Sequence, residues 1–192
     1  AMHALDQAEP IAVDLGLDIA RSRIHYTRGN LYFAQGNADA CTTQHNMALD
    51  LARQSGDAEC EARALSGLGD AQYVPGRMLT ALGYFRQCVA ICDREGLIGV
   101  EIPNRCMVGH CTWYTNRIDD AIAEGQAARA SAQAVGSSQA ELFAQESLSL
   151  FLAEAGRYDE AEEACEKALA LARPAHARRY ESAVLYVQAT IR

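Results

Sequence analysis

Apolar residues recur along the chain at the three- and four-residue steps typical of an amphipathic helix. The clearest stretch follows Gly156, where Ala161, Cys165, Ala168 and Leu169 are separated by steps of four, three and one. This spacing predicts a helix with one buried stripe. The same pattern elsewhere predicts helices near residues 21–35, 38–54, 58–74, 78–94, 101–114, 118–134, 138–155, 158–172 and 177–191.

Small residues return at a fixed interval of forty positions, which indicates an internal repeat. Three columns of small residues and one column of residues that tolerate a positive φ share this interval. The columns are Gly29, Gly69, Gly109 and Ser149; Cys41, Ala81, Ala121 and Ala161; Ala48, Cys88, Ala128 and Ala168; and Gly36, Gly76, Asn116 and Gly156. Helical patterns flank the last column, so each unit is predicted to be a helix, a tight turn and a second helix.

Composition and charge narrow the possible classes. Apolar residues make up 49% of the chain and charged residues 22%, so the chain can bury a core. It has 36 Ala and only 4 Pro among 192 residues, which favours helix. The net charge of -8 has the wrong sign for binding a phosphate backbone, so nucleic acid is not an expected partner. No apolar run approaches the roughly 18 residues of a membrane helix, so no membrane partner is expected either.

The repeat resembles the tetratricopeptide repeat family. Several small and large packing positions of that family are matched: Tyr32, Gly36, Ala38, Ala48 and Leu49 in the first unit; Leu65, Leu68, Gly69, Ala81 and Phe85 in the second; and Gly156, Tyr158, Ala161 and Ala168 in the fourth. The resemblance covers about residues 21–172. It departs from the family in its period, which is 40 rather than about 34 residues. Polar His25, Arg28 and Arg105 also replace large apolar residues of the first helices.

The resemblance implies an all-α fold, a right-handed superhelix (solenoid) of four helix-turn-helix repeats plus a terminal helix. The expected division is 1–20, the tail of a preceding repeat and a linker, with Ala1 an added residue before Met2; 21–60, repeat 1; 61–100, repeat 2; 101–140, repeat 3; 141–176, repeat 4; and 177–192, the first helix of an incomplete repeat 5. The helix at 177–191 would lack its partner. Leu185 and Val187 are therefore expected to be exposed and to allow self-association through the cut ends.

In such arrays the first helices line the concave side, and their unpacked residues face a ligand groove. The resemblance implies that this groove contains Arg23, Tyr26, Asn30, Phe33, Arg63, Asp70, Tyr73, His110, Trp113 and Tyr114. Phe33, Tyr73 and Trp113 are forty apart and would form an aromatic ladder of the kind that anchors peptides. The alternative is that these rings pack between neighbouring helices.

Two sets of charged residues offer further readings. Asn30, with Arg23 and Arg63, resembles part of the clamp by which chaperone-binding members hold a peptide carboxylate. The paired Lys residues of that clamp are missing, and Asp70 stands where a second Asn would help. A second set, Arg77, Arg117 and Arg157, directly follows the turn column and forms either a solvated row or a grip for an acidic partner.

The seven cysteines are odd in number and lack framework spacing, which favours reduced thiols in a cytoplasm. Cys88 and Cys92 lie one helical turn apart, as do Cys106 and His110, with Cys111 adjacent. Two ligands on one helix need two more from elsewhere, so we expect these residues to be structural rather than a metal site or a Cys/His nucleophile pair. No phosphate loop or catalytic motif occurs, and no cofactor, metal or catalytic residue is predicted.

Together these features predict a non-enzymatic, cytoplasmic module that binds a protein or peptide. The forty-residue period resembles bacterial regulatory arrays found beside nucleotide cyclases, signal-transduction ATPases and LuxR- or MalT-like regulators, which implies a fragment of a larger signalling protein. The alternative is an allosteric sensor for a small signalling peptide. An enzyme in its own right is the least favoured interpretation.

Overall fold

The computed structural model describes residues 1–191, which form ten α-helices and no strand. The predicted all-α fold is confirmed. The helices are α1 Met2–Asp14, α2 Asp18–Ala34, α3 Ala38–Ser55, α4 Ala58–Tyr73, α5 Met78–Glu95, α6 Ile98–Tyr114, α7 Ile118–Ala134, α8 Ser138–Glu154, α9 Tyr158–Ala172 and α10 Arg178–Thr190. None of the helices within residues 1–191 has the length and apolar composition needed to cross a lipid bilayer.

Two helix starts differ from the prediction by three residues, and the turn residues explain both. The helix predicted at 21–35 begins at Asp18, and the helix predicted at 101–114 begins at Ile98. Gly16 and Gly96 both have positive φ, so each turn ends and the next helix begins two residues later. The amino-terminal segment is also a longer helix than expected, because α1 extends from Met2–Asp14 and packs on α2.

A left-handed residue occurs every twenty positions, at the end of every helix from α1 to α9. The nine residues are Gly16, Gly36, Gly56, Gly76, Gly96, Asn116, Gly136, Gly156 and His176, with φ between 53° and 81°. The predicted turn column is therefore confirmed, and it is half of a denser series. After each left-handed residue, the next backbone N–H donates to the carbonyl five residues earlier, as from Asp57 to Ala52 at 3.1 Å. This is the bond that closes a Schellman motif, and it satisfies a carbonyl that the helix end leaves open.

Ala1–Val100 forms one compact unit, in which α2 pairs with α3 and α4 pairs with α5. Glycines let these pairs approach. A Cβ built on Gly29 would lie 2.5 Å from the His45 ring, and one on Gly69 would clash with the Phe85 ring. The His45 ring also faces Gly67 of α4, so it is clasped between two first helices. The small-residue column at Gly29 and Gly69 thus marks close contacts between helices, and Gly67 is an additional contact.

Glu101–Arg192 forms the second compact unit, in which α8 packs on α7 and α9. The second helix α7 carries Gly125 where α3 and α5 carry His45 and Phe85, so it has no ring to place against Gly109. Phe151 of α8 fills the space instead, because its ring lies 2.6 Å from a Cβ built on Gly109 and 3.5 Å from one on Gly125. An aromatic ring therefore still packs against the column glycine, but it comes from the following helix, α8, rather than from α7.

Polar residues at the departures from the family pattern are paired rather than exposed. Arg28 is 9% exposed and donates to Glu9 at 2.5 Å and to Asp6 at 2.8 Å. His25 lies 2.9 Å from the Gln44 side-chain oxygen and 3.3 Å from a Glu9 oxygen. Charged pairs of this kind stay buried only when both partners are satisfied. They dock α1 on α2 where most repeats would use apolar contacts.

The expectation for α10 holds for one residue and is wrong for the other. Leu185 is 42% exposed, whereas Val187 is buried in a cluster with Leu142, Cys165 and Leu169. The helix packs against both α8 and α9, and this contact covers the stripe that contains Val187. Leu185 and the neighbouring Tyr186 remain the exposed large apolar residues of this helix.

Gly69 offers a direct test of the helix pairing. We expect Gly69→Ala to lower the free energy of unfolding by about 1–3 kcal/mol, because the new methyl group would overlap the buried Phe85 ring. Gly83→Ala is the matched control, because nothing lies within 4 Å of its Cβ position in α5. That change should stabilise the helix by up to about 1 kcal/mol. Urea denaturation of both variants decides, and equal stabilities would contradict the packing.

His176 offers a test of the turn series. Its φ of 53° is unfavourable for a residue with a side chain, so His176→Gly should raise the free energy of unfolding by about 1 kcal/mol. Gly156→Ala, with φ 72°, should have the opposite effect and a similar size. Thermal and urea unfolding measure both. A loss of stability in His176→Gly would show that its side chain matters more than its backbone.

Candidate functional site

Four of the predicted site residues form one stripe along α2. Arg23, Tyr26, Asn30 and Phe33 are spaced by three, four and three residues, which places them on the same helix face. Arg23, Asn30 and Phe33 are exposed, and Tyr26 is half-buried. The Tyr26 ring leans on the His45 ring, with centroids 5.6 Å apart, so the packed core holds the inner end of this stripe. The buried His45 ring therefore holds the inner side of the α2 stripe in place.

Three further predicted residues lie on α4, which contacts α2. Arg63, Asp70 and Tyr73 are all half-buried, and seven residues separate Arg63 from Asp70, as they separate Arg23 from Asn30. The two first helices thus present matching stripes side by side within the first unit. Each carries an arginine near its start, a short polar residue two turns later and an aromatic ring at its end.

The two arginines of this surface already interact with acidic neighbours. Arg63 donates from Nε and Nη2 to one Glu59 oxygen at 2.9 and 2.8 Å, and its pKa is raised mainly by this bond. The pKa of Arg23 is raised first by a hydrogen bond with Cys60, and the charges of Asp57 and Glu59 add to the effect. The guanidinium groups are consequently less available to a ligand carboxylate than the sequence implied.

Asp70 has the opposite environment. Burial raises the pKa of its carboxyl group to about 6, because the ionised form loses hydration without gaining a partner. Within residues 1–191, no hydrogen bond or ion pair reaches this carboxylate. Its negative charge is felt by the Cys41 thiol, whose pKa is raised by burial and then by Asp70. A half-buried carboxylate of this kind gains stability from any cation brought to it.

An apolar depression lies at the end of the two first helices, and one of its lining residues, Cys41, is close enough to Asp70 for that charge to raise the pKa of its thiol. Its volume is about 80 Å³. Phe33 and Val74, which are 42% and 69% exposed, form part of its wall. The remaining lining residues are Gly36, Ala38, Cys41 and Ala71. Such a volume accommodates part of one small aliphatic side chain.

The second unit contains the other three predicted residues, His110, Trp113 and Tyr114, all on α6. The His110 and Phe151 rings meet edge to face with centroids 5.0 Å apart, and the Trp113 and Tyr114 rings are 4.4 Å apart. Tyr114 is 55% exposed, while Trp113 and His110 are half-buried. The second unit thus adds an aromatic pair with one exposed ring.

The polar groups near His110 do not form a nucleophile. His110 Nε2 lies 3.3 Å from the Ser147 hydroxyl, and Ser147 also interacts with Cys106. Burial lowers the pKa of His110 to about 4 and raises that of Cys106 to about 12. An activated cysteine requires a lowered pKa. The arrangement therefore keeps Cys106 as a neutral thiol.

Sequence reasoning omitted Glu146 and Arg179 from the site. Glu146 is half-buried on α8; burial raises its pKa, and the nearby Arg179 charge opposes that rise. Arg179 of α10 lies over the Tyr180 ring, 5.3 Å from its centroid, and Tyr180 meets the Phe143 ring at 6.2 Å. Glu146 follows the predicted groove residue Tyr26 by 120 residues, which is three periods of forty, and this spacing was the available signal. Arg179 had none, because α10 was treated as a helix without partners.

The remaining candidate clusters have structural explanations. All seven cysteines are free and buried. No group of three or more potential metal ligands occurs within residues 1–191. The arginine row is exposed, but Arg117 pairs with Asp120, Arg157 with Glu160 at 2.6 Å, and Arg77 donates to Gln72 at 3.1 Å. Arg117 and Arg157 therefore pair with the first turn of the helix that follows them, and Arg77 bonds to the helix that precedes it.

Comparison with known families agrees with this architecture. A tetratricopeptide repeat model matches residues 20–94, and a second tetratricopeptide repeat model matches residues 144–174. Together they cover just over half of the chain. Together with the ten helices and evenly spaced turns of residues 1–191, these matches identify the chain as a tetratricopeptide repeat array. Among curated protein sequences, none is significantly similar to this chain.

Three solved structures show the same fold. The apo form of RapI superposes with a TM-score of 0.85 at 15% identity, over 96% of this chain and 67% of its own. The Rap conjugation gene regulator of plasmid pLS20, in complex with the Phr* peptide, has a TM-score of 0.78 at 18% identity, over 95% and 51%. A signal-transduction ATPase (STAND) protein from Pyrococcus horikoshii, with a tetratricopeptide repeat sensor, superposes with a TM-score of 0.81 at 18% identity. The superposition covers 97% of this chain and 28% of that protein. This chain therefore spans part of each longer protein.

Asp70 predicts a specific pH dependence. Its folded pKa of about 6 lies above the ordinary value, so its contribution to stability is present at low pH and is lost as the pH rises through about 4 to 6. Asp70→Asn should therefore raise the free energy of unfolding at pH 7.5 by about 1–3 kcal/mol, and it should have a clearly smaller effect near pH 4.5, where most of the loss has yet to occur.

Urea denaturation of the wild type and Asp70→Asn at both pH values measures this difference. Asp50→Asn, which changes an exposed carboxylate on α3, is the matched control and should be neutral at both. An equal effect of Asp70→Asn at the two pH values would contradict the assignment.

Proposed function

We propose that this chain is a binding module for a peptide or an extended protein segment, recognised on the exposed stripes of its first helices. The observation that carries the proposal is the pair of adjacent stripes on α2 and α4, which present aromatic and polar side chains above a packed core. Aromatic residues dominate binding hot spots because they bring large contact area at low entropic cost.

The chemistry of this surface supports a peptide as the ligand class. Exposed Phe33 and Val74 offer apolar contact, while Asn30 and Asp70 offer hydrogen-bond acceptors one turn away. An extended peptide alternates backbone donors with side chains and can use both. The net charge of -8 argues against nucleic acid. A fold relative in complex with the Phr* peptide supports the same class.

The wider context is also part of the proposal. A regulatory role within a larger signalling protein, which we propose to be bacterial, is supported by the STAND relative from Pyrococcus horikoshii, since that protein carries a tetratricopeptide repeat sensor. The second candidate is accordingly a sensor, in which ligand binding alters an attached domain. The neutral Cys106 thiol and neutral His110 argue against an enzyme. Seven free, buried thiols support a reducing, cytoplasmic location.

Tyr73 and Trp113 provide the test. We expect the double change Tyr73→Ala and Trp113→Ala to weaken partner binding by about 2–4 kcal/mol, because each ring would contribute to a hot spot. Partners are identified by affinity capture and mass spectrometry, and their affinity is measured by titration. Circular dichroism melting is recorded on the same samples.

Tyr158→Ala is the matched control, since this ring is 56% exposed at the start of the second helix α9. Its partner binding should equal that of the wild type. A large fall in melting temperature of the double variant would show that Tyr73 and Trp113 serve packing, since buried aromatic truncations cost about 3–5 kcal/mol. Intact melting with unchanged partners would contradict the proposed surface.

A further inference from the structure

In the first unit, an apolar depression lies within one helical turn of a polar, acidic surface. Asp70 lies on α4, and Val74 follows it by four residues, directly after the helix end and with a helical backbone. Asn30 and Phe33 are three residues apart on α2. The members of each pair therefore lie on the same side of their helix. Phe33 and Val74 both line the apolar depression of about 80 Å³. The two residues one turn earlier, Asn30 and Asp70, are both polar. The surface therefore changes from apolar to acidic over about 5–6 Å, the rise of one turn.

The charges around this place are unequally satisfied. Arg63 is held by Glu59, and Arg23 interacts with Cys60 under the influence of Asp57. Asp70, by contrast, has neither a hydrogen bond nor an ion pair from any residue in 1–191. Since charge-assisted bonds to an unpaired, partly dehydrated carboxylate are the strong ones, the ligand group that gains most here is a cation.

We propose that this surface, formed by Asn30, Phe33, Asp70 and Val74, is a subsite for an aliphatic side chain next to a cationic group. It rests on the proposed peptide-binding function and assigns it a ligand chemistry. The aliphatic side chain enters the depression between Phe33 and Val74. The adjacent ammonium or guanidinium group donates to the Asp70 carboxylate, and the Asn30 side-chain oxygen accepts a further hydrogen bond.

This assignment inverts the carboxylate clamp that Asn30, Arg23 and Arg63 resemble in sequence. In that clamp, cationic side chains hold a ligand carboxylate. Here Asp70 would repel a carboxylate, and Glu59 already occupies Arg63. A peptide carrying Lys, Arg or a free amino terminus beside Leu, Ile or Val fits the site, whereas an acidic peptide carboxyl terminus does not.

Selection from a random dodecapeptide phage library on the immobilised full chain tests the subsite without a known ligand. We expect enriched peptides to place an aliphatic residue within about three positions of a cationic one. Synthetic copies, with and without an acetylated amino terminus, are then titrated by fluorescence polarisation. Loss of binding on acetylation assigns the cation to the terminal amine, and retained binding assigns it to Lys or Arg.

Variants then locate the binding. Asp70→Asn should weaken these peptides about ten-fold or more, since it removes the charge and keeps the shape. Val74→Ser should also weaken them, and Asp70→Lys should reverse the preference towards acidic peptides. Asp50→Asn, an exposed carboxylate on α3, should leave affinity unchanged. Melting curves confirm that every variant is folded.

The outcomes separate this subsite from the proposed function. Enriched peptides that lack cations, or cationic peptides bound equally by wild type and Asp70→Asn, overturn the subsite and leave peptide binding intact. Failure to enrich any peptide above an unrelated protein overturns the peptide-binding function and the subsite with it. Enrichment with loss in Asp70→Asn and Val74→Ser supports both.

Discussion

The left-handed residue that recurs every twenty positions is the constraint on which the rest of the structure depends. Each one stops a helix, closes the same hydrogen-bonded turn and starts the next helix two residues later. Because all nine connections between the helices of residues 1–191 carry the same turn, residues forty apart occupy equivalent positions in their helices. The small-residue columns, the pairing of Gly29 with His45 and the stripes of the first helices all follow from that equivalence.

Much of this framework could be predicted from the sequence, because a glycine that recurs at a helix end indicates a positive φ. The turns at Gly36, Gly76, Asn116 and Gly156 were visible as a column. His176 was not, since a histidine gives no sign that its backbone is left-handed. The sequence also gave no sign that a ring from one helix would fill the space left by a small residue on another. The use of Phe151 to fill the space beside Gly109 depends on a neighbouring helix, which no single column describes.

For the candidate site, the positions of the residues along the helices could be predicted, but their interactions could not. Register alone placed Arg23, Asn30 and Asp70 on first helices, and all three keep some exposure. Their pairing was not predictable, because it depends on rotamers and burial. The arginines turned towards acidic neighbours, while Asp70 was left without one inside a partly dehydrated surface. A carboxylate that lowers stability at neutral pH is the kind of strain that binding surfaces retain.

The even spacing of the turns has a consequence for how such a chain can change in length. Deleting one residue from a helix would rotate every later side chain by about 100° around its axis and move each buried stripe off the core. Removing forty residues, from Gly36 to just before Gly76, would instead join two equivalent turns. Gain or loss of whole forty-residue modules would therefore preserve the packing of the array, whereas an insertion within a helix would disrupt it.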